Sequence, residues 1–475
     1  MAGFSLLQKP FLRQLLRWLF PLTALLFLTS APMDPPARYT LALMIWMLGW
    51  WIFELAPIAV TALLPLIFLP LADVLPLKAV AAAYGDPVIF LFFSGFILAI
   101  ALEKHGLHLL FSSFLLHHFA RSAGSIVLIV MVTTAFLSMW ISNTATAVMM
   151  LPIGLAVMKS FLEQHPTADP QDCRRFATCM VLGIAHSANI GGATTLIGTP
   201  PNVVMAGYMQ ELLQYELGFA SWLFFALPIG IFVLLCSWYL MTHFLFPFRF
   251  PAGHAVFSVK AEQVKLNQLQ KLIVVVFSLT ALCWIFKNQL ENISGIRLHD
   301  AQIGLAAAVF LFLLTDKKGE TALRWQDTRD LPWGILLLFG GGIALANGME
   351  TAGILEAIGT FMQQLESMPM LLFIIILTAT AIFMSEVMSN VALATVMLPI
   401  VIGIGKGLDL PPMLLVAPVT LATTFAFMLP IGTPPNAIVY GSGQVSQQAM
   451  IRAGWWMNLI SIGVISLVSY VWFRH

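Results

Sequence analysis

The chain has 475 residues, 59% of them hydrophobic and 9% charged, with a formal net charge of +1. A soluble domain carries about 25% charge, so this composition excludes a soluble protein and describes a polytopic membrane protein. No basic run points to nucleic acid, and Cys173, Cys179, Cys236 and Cys283 have neither metal nor redox spacing.

In chain order, Lys9, Arg13 and Arg17 precede an apolar run at 18–32. That run reads as a first anchor rather than a signal peptide, because many spans follow. A helical span needs about 20 apolar residues. Spans are predicted near 39–57, 58–76, 87–103, 219–246, 271–287, 299–315, 331–349 and 453–473. Regions 176–208 and 412–440 each contain Thr-Pro-Pro, at Thr199, Pro200 and Pro201 and at Thr433, Pro434 and Pro435. Proline removes a backbone donor and clashes with the preceding turn, so each region is predicted to be one helix broken in mid-membrane. Broken backbone at that depth is tolerated only where protein buries it or a polar cavity wets it. Regions 125–160 and 369–405 carry a polar Ser-Asn pair at their centres, Ser142 and Asn143 in one and Ser389 and Asn390 in the other. Their length suits two short half-helices each, so they are predicted as re-entrant hairpins with the pair at the tip.

The two hairpins belong to a repeat. Ser389 lies 247 residues after Ser142, and Glu350 and Gly353 follow Glu103 and Gly106 at the same offset. The stretch 92–99 matches 339–346 in the same register. After each copy comes an amphipathic stretch too short to span. Leu107, Leu110, Phe111, Phe114, Leu115 and Phe119 form one face of the first, and Ile354, Leu355, Ile358, Phe361, Met362 and Leu365 one face of the second. Such helices suit the membrane interface and could link a moving part to a fixed one. With the N-terminus inside, only Arg38, Lys78, Lys287, Arg297, Lys406 and Arg474 fall outside, and the other basic residues fall inside. That bias is the one the positive-inside rule requires. The first hairpin then enters from the cytoplasm and the second from outside.

These readings predict an all-α polytopic fold of about 11 transmembrane helices and two re-entrant hairpins. Its parts are an N-terminal segment with the first helix (1–38), a first inverted repeat (39–246), a cytoplasmic linker (247–270) and a second repeat (271–475). Within the repeats, 39–122 and 271–366 are predicted as scaffold, and 125–246 and 369–475 as hairpin and transport helices.

The motifs have a chemistry. Ser142 and Ser389 are placed to cap the second half-helix of each hairpin. Exposed helix N–H groups favour an anion. Carbonyl and side-chain oxygens of Ser and Asn suit a small hard cation, and the Gly198 and Gly432 turns can bring backbone oxygens close through unusual dihedrals. No Lys or Arg falls within 125–158, 176–246, 372–405 or 410–451. Burying a carboxylate without a partner is very costly, and bound cations would remove much of that cost. Two equivalent sites suggest at least two cations. A duplicated pair of polar breaks in membrane-grade sequence points to a transporter site.

Ser142, Asn143 and Thr144 with Thr199, Pro200 and Pro201, and Ser389, Asn390 and Val391 with Thr433, Pro434 and Pro435, resemble the paired signatures of the divalent anion:sodium symporter (DASS) family. The resemblance covers nearly the whole chain. It implies sodium-coupled uptake of dicarboxylates such as succinate, malate and fumarate, or of citrate, by a homodimer in the cell membrane, bacterial and inner, working as an elevator. It also implies that Ser142, Asn143 and Gly198 hold one sodium and Ser389, Asn390 and Gly432 the other, with Ser138 and Ser385 as further ligands. Asn143, Thr144, Asn390, Thr433 and Pro434 would touch substrate carboxylates. Ser142, Ser389, Val391, Thr199 and Pro200 complete the candidate substrate site. Val391 departs from the first motif, because its methyl cannot hydrogen-bond where Thr144 can.

The rival readings are a sodium-independent carboxylate exchanger and a sodium:sulfate symporter on the same fold. An intramembrane enzyme would need a nucleophile–base pair or a metal cluster, and no such pattern faces the motifs. No nucleotide-binding motif suggests a pump. His105, His108, His117 and His118 read as interfacial polar residues. His186 is open between packing and function. Glu386 is open between fixing the hairpin and ion coupling, since intramembrane acids are functional candidates by default. Gly340, Gly341 and Gly342 read as close helix packing.

Overall fold

The computed structural model describes residues 10–30, 32–119, 122–250, 266–317, 319–363 and 368–474. Most of the predicted linker, Leu365 and the side chains of His117, His118 and Phe119 lie outside the described residues.

The fold is all-helical. Among the described residues the only β contact is the isolated bridge between Thr315 and Thr321. Helix α1 (Pro10–Ser30) leads to α2 (Pro35–Ile52), the short helices α3 (Ile58–Thr61), α4 (Leu64–Leu71) and α5 (Leu77–Ala82), and then α6 (Pro87–Lys104). The predicted span at 58–76 is therefore two short helices. Pro65 occupies the first turn of α4, where its missing N–H costs nothing. Next come α7 (Leu107–Phe119), α8 (Ala123–Ser138), α9 (Asn143–Glu163), α10 (Pro170–Ala193), α11 (Pro200–Leu213) and α12 (Phe219–Tyr239). A π turn over Leu240–Leu245 closes this half. The second half runs through α13 (Gln268–Ile285), α14 (Lys287–Ser294), α15 (Asp300–Leu313), α16 (Trp333–Thr351), α17 (Ile354–Gln363), α18 (Met370–Ser385), α19 (Asn390–Gly407), α20 (Pro412–Thr424), α21 (Pro434–Gly441) and α22 (Gln447–Phe473).

Helix starts recur at the offset read from the sequence. Residues 107, 123 and 143 open α7, α8 and α9, and residues 354, 370 and 390 open α17, α18 and α19. The turn before each arm is made by the same residue type. Gly106 at φ +65° and Gly353 at φ +70° occupy the left-handed region, which an L side chain resists.

Eight described helices are long and apolar enough to cross a membrane. Five more apolar helices are shorter, of 10–17 residues. The second arms of the hairpins, α9 and α19, belong to the long group. At 1.5 Å per residue, the 21 residues of α9 reach about 32 Å, more than the half-helix expected. The Ser-Asn pair sits at the start of a long helix, so the hairpins have unequal arms.

The core lies around α10 and α20, the helices that lead into the breaks. The most apolar stretch of α10 is 94% buried, against 28% for α13. Gly183, Ala185, Ser187, Ala188, Gly191, Gly192 and Ala193 keep α10 thin enough for neighbours to close on it. Every residue of α20 from Met413 to Thr424 is buried. The arm α17 packs on α19 where Gly359 meets Gly403 and Gly407. A Cβ on Gly407 would lie 2.2 Å from the Gly359 Cα, so this crossing admits no side chain.

Candidate substrate and cation site

Both breaks fall where the prolines placed them. Helix α10 stops at Ala193, and α11 restarts at Pro200 behind the N-cap Thr199. Helix α20 stops at Thr424, and α21 restarts at Pro434 behind the N-cap Thr433. The hairpin tips start α9 and α19 in the same way, with Ser142 and Ser389 at the N-caps. Ser142 accepts from the Ala145 N–H at 3.3 Å, as expected of a cap. Ser389 makes no side-chain cap, so its hydroxyl is spared for other work.

A single cleft of about 1680 Å³ collects these pieces. Ser142, Asn143, Thr144, Thr199 and Pro200 line it from the first half, and Ser389, Asn390, Val391, Gly432, Thr433 and Pro434 from the second. Ser138, Ser385 and Gly198 do not line it and lie behind its wall. Four helices, α9, α11, α19 and α21, point their N-termini at this space. Each helix end carries about half a positive charge, so the cleft favours an anion.

Behind the first tip, oxygens converge. Ser138 Oγ donates to the Ala188 carbonyl at 2.6 Å. One end of the Asn143 amide lies 2.9 Å from Ser138 Oγ and 3.3 Å from the carbonyls of both Ala188 and Gly198. With its nitrogen turned inward, the amide donates to all three oxygens. With its oxygen turned inward, four neutral oxygens face one another, a donor set that suits a hard cation. The residues therefore fit sodium. Gly198 serves here through space and not through dihedral freedom, because it does not adopt a positive φ. A Cβ there would strike the Gly192 carbonyl at 2.4 Å, and a Cβ on Gly192 would strike the Asn143 amide at 1.9 Å.

The second tip is built differently. Ser385 Oγ donates to its own helix at the Ile382 carbonyl, 2.7 Å away, and not across to Asn390. Its hydroxyl thus stays with its own helix, whereas that of Ser138 reaches the Asn143 amide and the Ala188 carbonyl. Asn390 Oδ1 is buried without a partner, an acceptor that a cation would satisfy. Gly432 lies against Glu386, whose carboxylate holds the unwound segment by its N–H groups. Among the described residues no group of three or more His, Cys, Asp or Glu could hold a metal.

Several residues that shape the site had no role in the sequence reading. Asn202 Nδ2 donates to the carbonyls of Ala193 at 3.0 Å and Thr195 at 2.7 Å. Asn436 Nδ2 does the same for Ala426 at 3.1 Å and Leu429 at 3.0 Å. Both close the Thr-Pro-Pro-Asn motif, which was the available signal. Asn189 Nδ2, from the first half, reaches the Ala426 carbonyl and Thr433 Oγ1 in the second, at 3.1 and 3.0 Å. Arg13 also lines the cleft, where its guanidinium donates to the Glu54 carbonyl at 2.8 Å. The first helix lies outside the stretches that lack Lys and Arg, so the cleft is less free of positive charge than expected. His186 is fully buried, with Nδ1 against Ser237 Oγ at 2.9 Å, and it does not reach the cleft.

Fold and site together define a membrane transporter for an anion, built on a pair of broken helices. The chain belongs to the divalent anion:sodium symporter family, since residues 8–475 match the family described as the sodium:sulfate symporter transmembrane region. It is a sodium-coupled, multi-pass transporter and not an enzyme. It is 38% identical over 462 residues to the sodium-dependent dicarboxylate transporter SdcS of Staphylococcus saprophyticus, covering 95% of this chain and 89% of that one. SdcS of Staphylococcus aureus strain USA300 is 38% identical over 466 residues, with the same coverage. Among solved structures, the YdaH transporter of Alcanivorax borkumensis superposes with a TM-score of 0.56 at 13% identity, over 92% of this chain and 98% of that one. MtrF of Neisseria gonorrhoeae superposes with a TM-score of 0.57 at 12% identity, over 96% and 98%. These two likenesses concern the fold alone.

Proposed function

We propose that the protein imports small dicarboxylates, such as succinate, malate or fumarate, together with at least two sodium ions. The observation that carries this reading is the shared cleft, on which both tips and both Thr-Pro-Pro starts converge. One carboxylate is held at each tip. Asn143 and Thr144 grip one end, and Asn390, Thr433 and Pro434 the other. Ser142, Asn143, Gly198 and Ser138 hold one sodium, and Ser389, Asn390 and Gly432 hold the second. Sodium supplies full positive charges beside a buried dianion, where the half-charges of helix ends are screened and fall off within a turn.

The cleft mouth includes Arg13, Glu54, Pro332 and Gln447. Positive-inside topology assigns all four to the cytoplasm. This arrangement is therefore the inward-open one. In the elevator reading, 125–246 and 369–475 move as transport units against the scaffold 39–122 and 271–366, with the arms α7 and α17 as links in a homodimer.

Purified protein in proteoliposomes should take up labelled succinate only along an inward sodium gradient. Equal uptake in choline medium would sink the symport reading in favour of exchange. Competition by sulfate alone would move the cargo to an inorganic anion.

A further inference from the structure

Glu386 is the C-cap of α18, in the turn of the second tip, and is 3% exposed. Its Oε1 accepts from the N–H of Phe427 at 2.8 Å, of Met428 at 2.9 Å, and from Asn458 Nδ2 at 2.8 Å. Its Oε2 accepts from the N–H of Met428 at 3.1 Å and of Leu429 at 2.9 Å. All these bonds are accepted and none is donated, the pattern of an ionised carboxylate in a nest of backbone N–H groups. Among the described residues no Lys, Arg or His makes an ion pair with it. Peptide dipoles offset such a charge only in part, and a buried charge without a counter-ion is costly.

The charge has no counterpart in the first half. The matching position there is Met139, whose carbonyl accepts from Thr195 Oγ1. Nor is the charge remote from the site. A Cβ on Gly432 would lie 3.0 Å from Glu386 Oε2, and Asn390, with its bare Oδ1, follows four residues later.

We propose that Glu386 is the fixed counter-charge of the second coupling cation, and that it makes the anionic substrate wait for that cation. The inference rests on the sodium symport reading above. With no cation at the second tip, the carboxylate sits beside the cleft and repels a dianion. A cation against Gly432 and Asn390 cancels it, and the four helix N-termini then dominate. The two sodium sites are therefore unequal. The second fills first, and the first, made of neutral oxygens, fills with or after the substrate.

The test compares wild type, Glu386→Gln and Asn458→Ala as full-length proteins in proteoliposomes. Glutamine keeps the shape and one accepting oxygen but removes the charge. Expected for Glu386→Gln is a rise of at least tenfold in the sodium concentration giving half-maximal succinate uptake. Sodium-free succinate uptake should also rise at least tenfold over wild type. Asn458→Ala, which keeps the charge, should shift sodium half-saturation less than threefold. A sodium dependence of Glu386→Gln within twofold of wild type overturns the proposal. So does a parallel loss of sodium and succinate affinity without sodium-free uptake, which is what a purely structural brace gives. If Glu386→Gln does not fold, thermal unfolding in sodium chloride against choline chloride decides. Asn390→Ala should lose most of the sodium-induced rise in unfolding temperature and Asn143→Ala little of it, and equal losses overturn the proposal. Wild-type uptake indifferent to sodium would instead overturn the symport reading itself.

Discussion

Val391 and Thr144 occupy matching places, one residue into the helix after each tip, and both line the cleft. Val391→Thr exchanges a methyl for a hydroxyl at nearly constant volume, so the backbone of α19 should hold. A buried hydroxyl with no partner costs about 1–3 kcal/mol. One that meets a carboxylate oxygen gains about 1.5–3 kcal/mol. The sign of the change in succinate affinity therefore reports whether substrate reaches this position. The expected outcome is an altered ranking of succinate, citrate and sulfate as competitors, and an unchanged ranking would remove Val391 from the site. Gly192 raises a different question, because a methyl there overlaps the Asn143 amide at 1.9 Å. Overpacking of this kind costs about 1–3 kcal/mol, which an assembled core can absorb. Gly192→Ala should thus still be produced in the membrane and yet transport as poorly as Asn143→Ala. Wild-type uptake by Gly192→Ala would show that the tip tolerates displacement.

At the level of elements, an ion cluster ties three helix ends together. Lys287, at the start of α14, lies 3.0 Å from Glu216 Oε1 and 3.4 Å from Asp300 Oδ1, while Asp300 Oδ2 accepts from the Phe219 N–H at 2.7 Å. At 3.4 Å the Asp300 carboxylate acts on Lys287 chiefly through its charge. Lys287→Met leaves Asp300, with a side chain 4% exposed, without a cation. Removing one partner of a buried pair costs about 3–5 kcal/mol, and a lower unfolding temperature should show it. Burial pushes the Lys287 ammonium down, but Asp300 and Glu216 pull it up by more, to above its ordinary value. A raised lysine contributes its full stability below the unfolded pKa and loses it only as pH climbs through the folded one. The penalty of Lys287→Met should therefore be equal at pH 6 and pH 9, and unequal melts would place the pair's titration elsewhere. The elements themselves were largely legible in the chain. Proline and glycine act on their own turn, so Pro200, Pro434, Gly106 and Gly353 announce breaks and corners wherever they stand. Glu386 was legible only as a buried acid. Its backbone donors come from an irregular segment 41 to 43 residues away, and no periodicity encodes such a partner. Arg13 was missed for the same reason, since tertiary packing alone carries the first helix to the cleft.

For the whole molecule, transport requires that the cleft face both sides of the membrane in turn. The two halves share the site so closely that it cannot simply be split between them. Asn189 of α10 is hydrogen-bonded to the unwound segment of the other half, and Tyr208 of α11 donates to the Thr395 carbonyl of α19 at 3.1 Å. Opening the opposite side by parting the halves would break these buried bonds, at about 0.5–1.5 kcal/mol each and more where a polar group is left bare. Carrying the whole site as one body keeps them. The elevator therefore predicts that a residue on the cleft wall changes sides while its neighbours stay the same. Ile431 suits this test, because it lines the cleft, is 58% exposed and holds no candidate ligand. In a background with Cys173, Cys179, Cys236 and Cys283 replaced, Ile431→Cys should react with a membrane-impermeant maleimide from the cytoplasmic face of inside-out vesicles. Sodium with succinate should slow that reaction and allow labelling from the outer face. A short bifunctional cross-link between introduced cysteines at 208 and 395, on α11 and α19, should leave both patterns intact, since those positions travel together. Labelling confined to one face under every condition, or halted by that cross-link, would mean that the halves part, and the moving-site mechanism would fall.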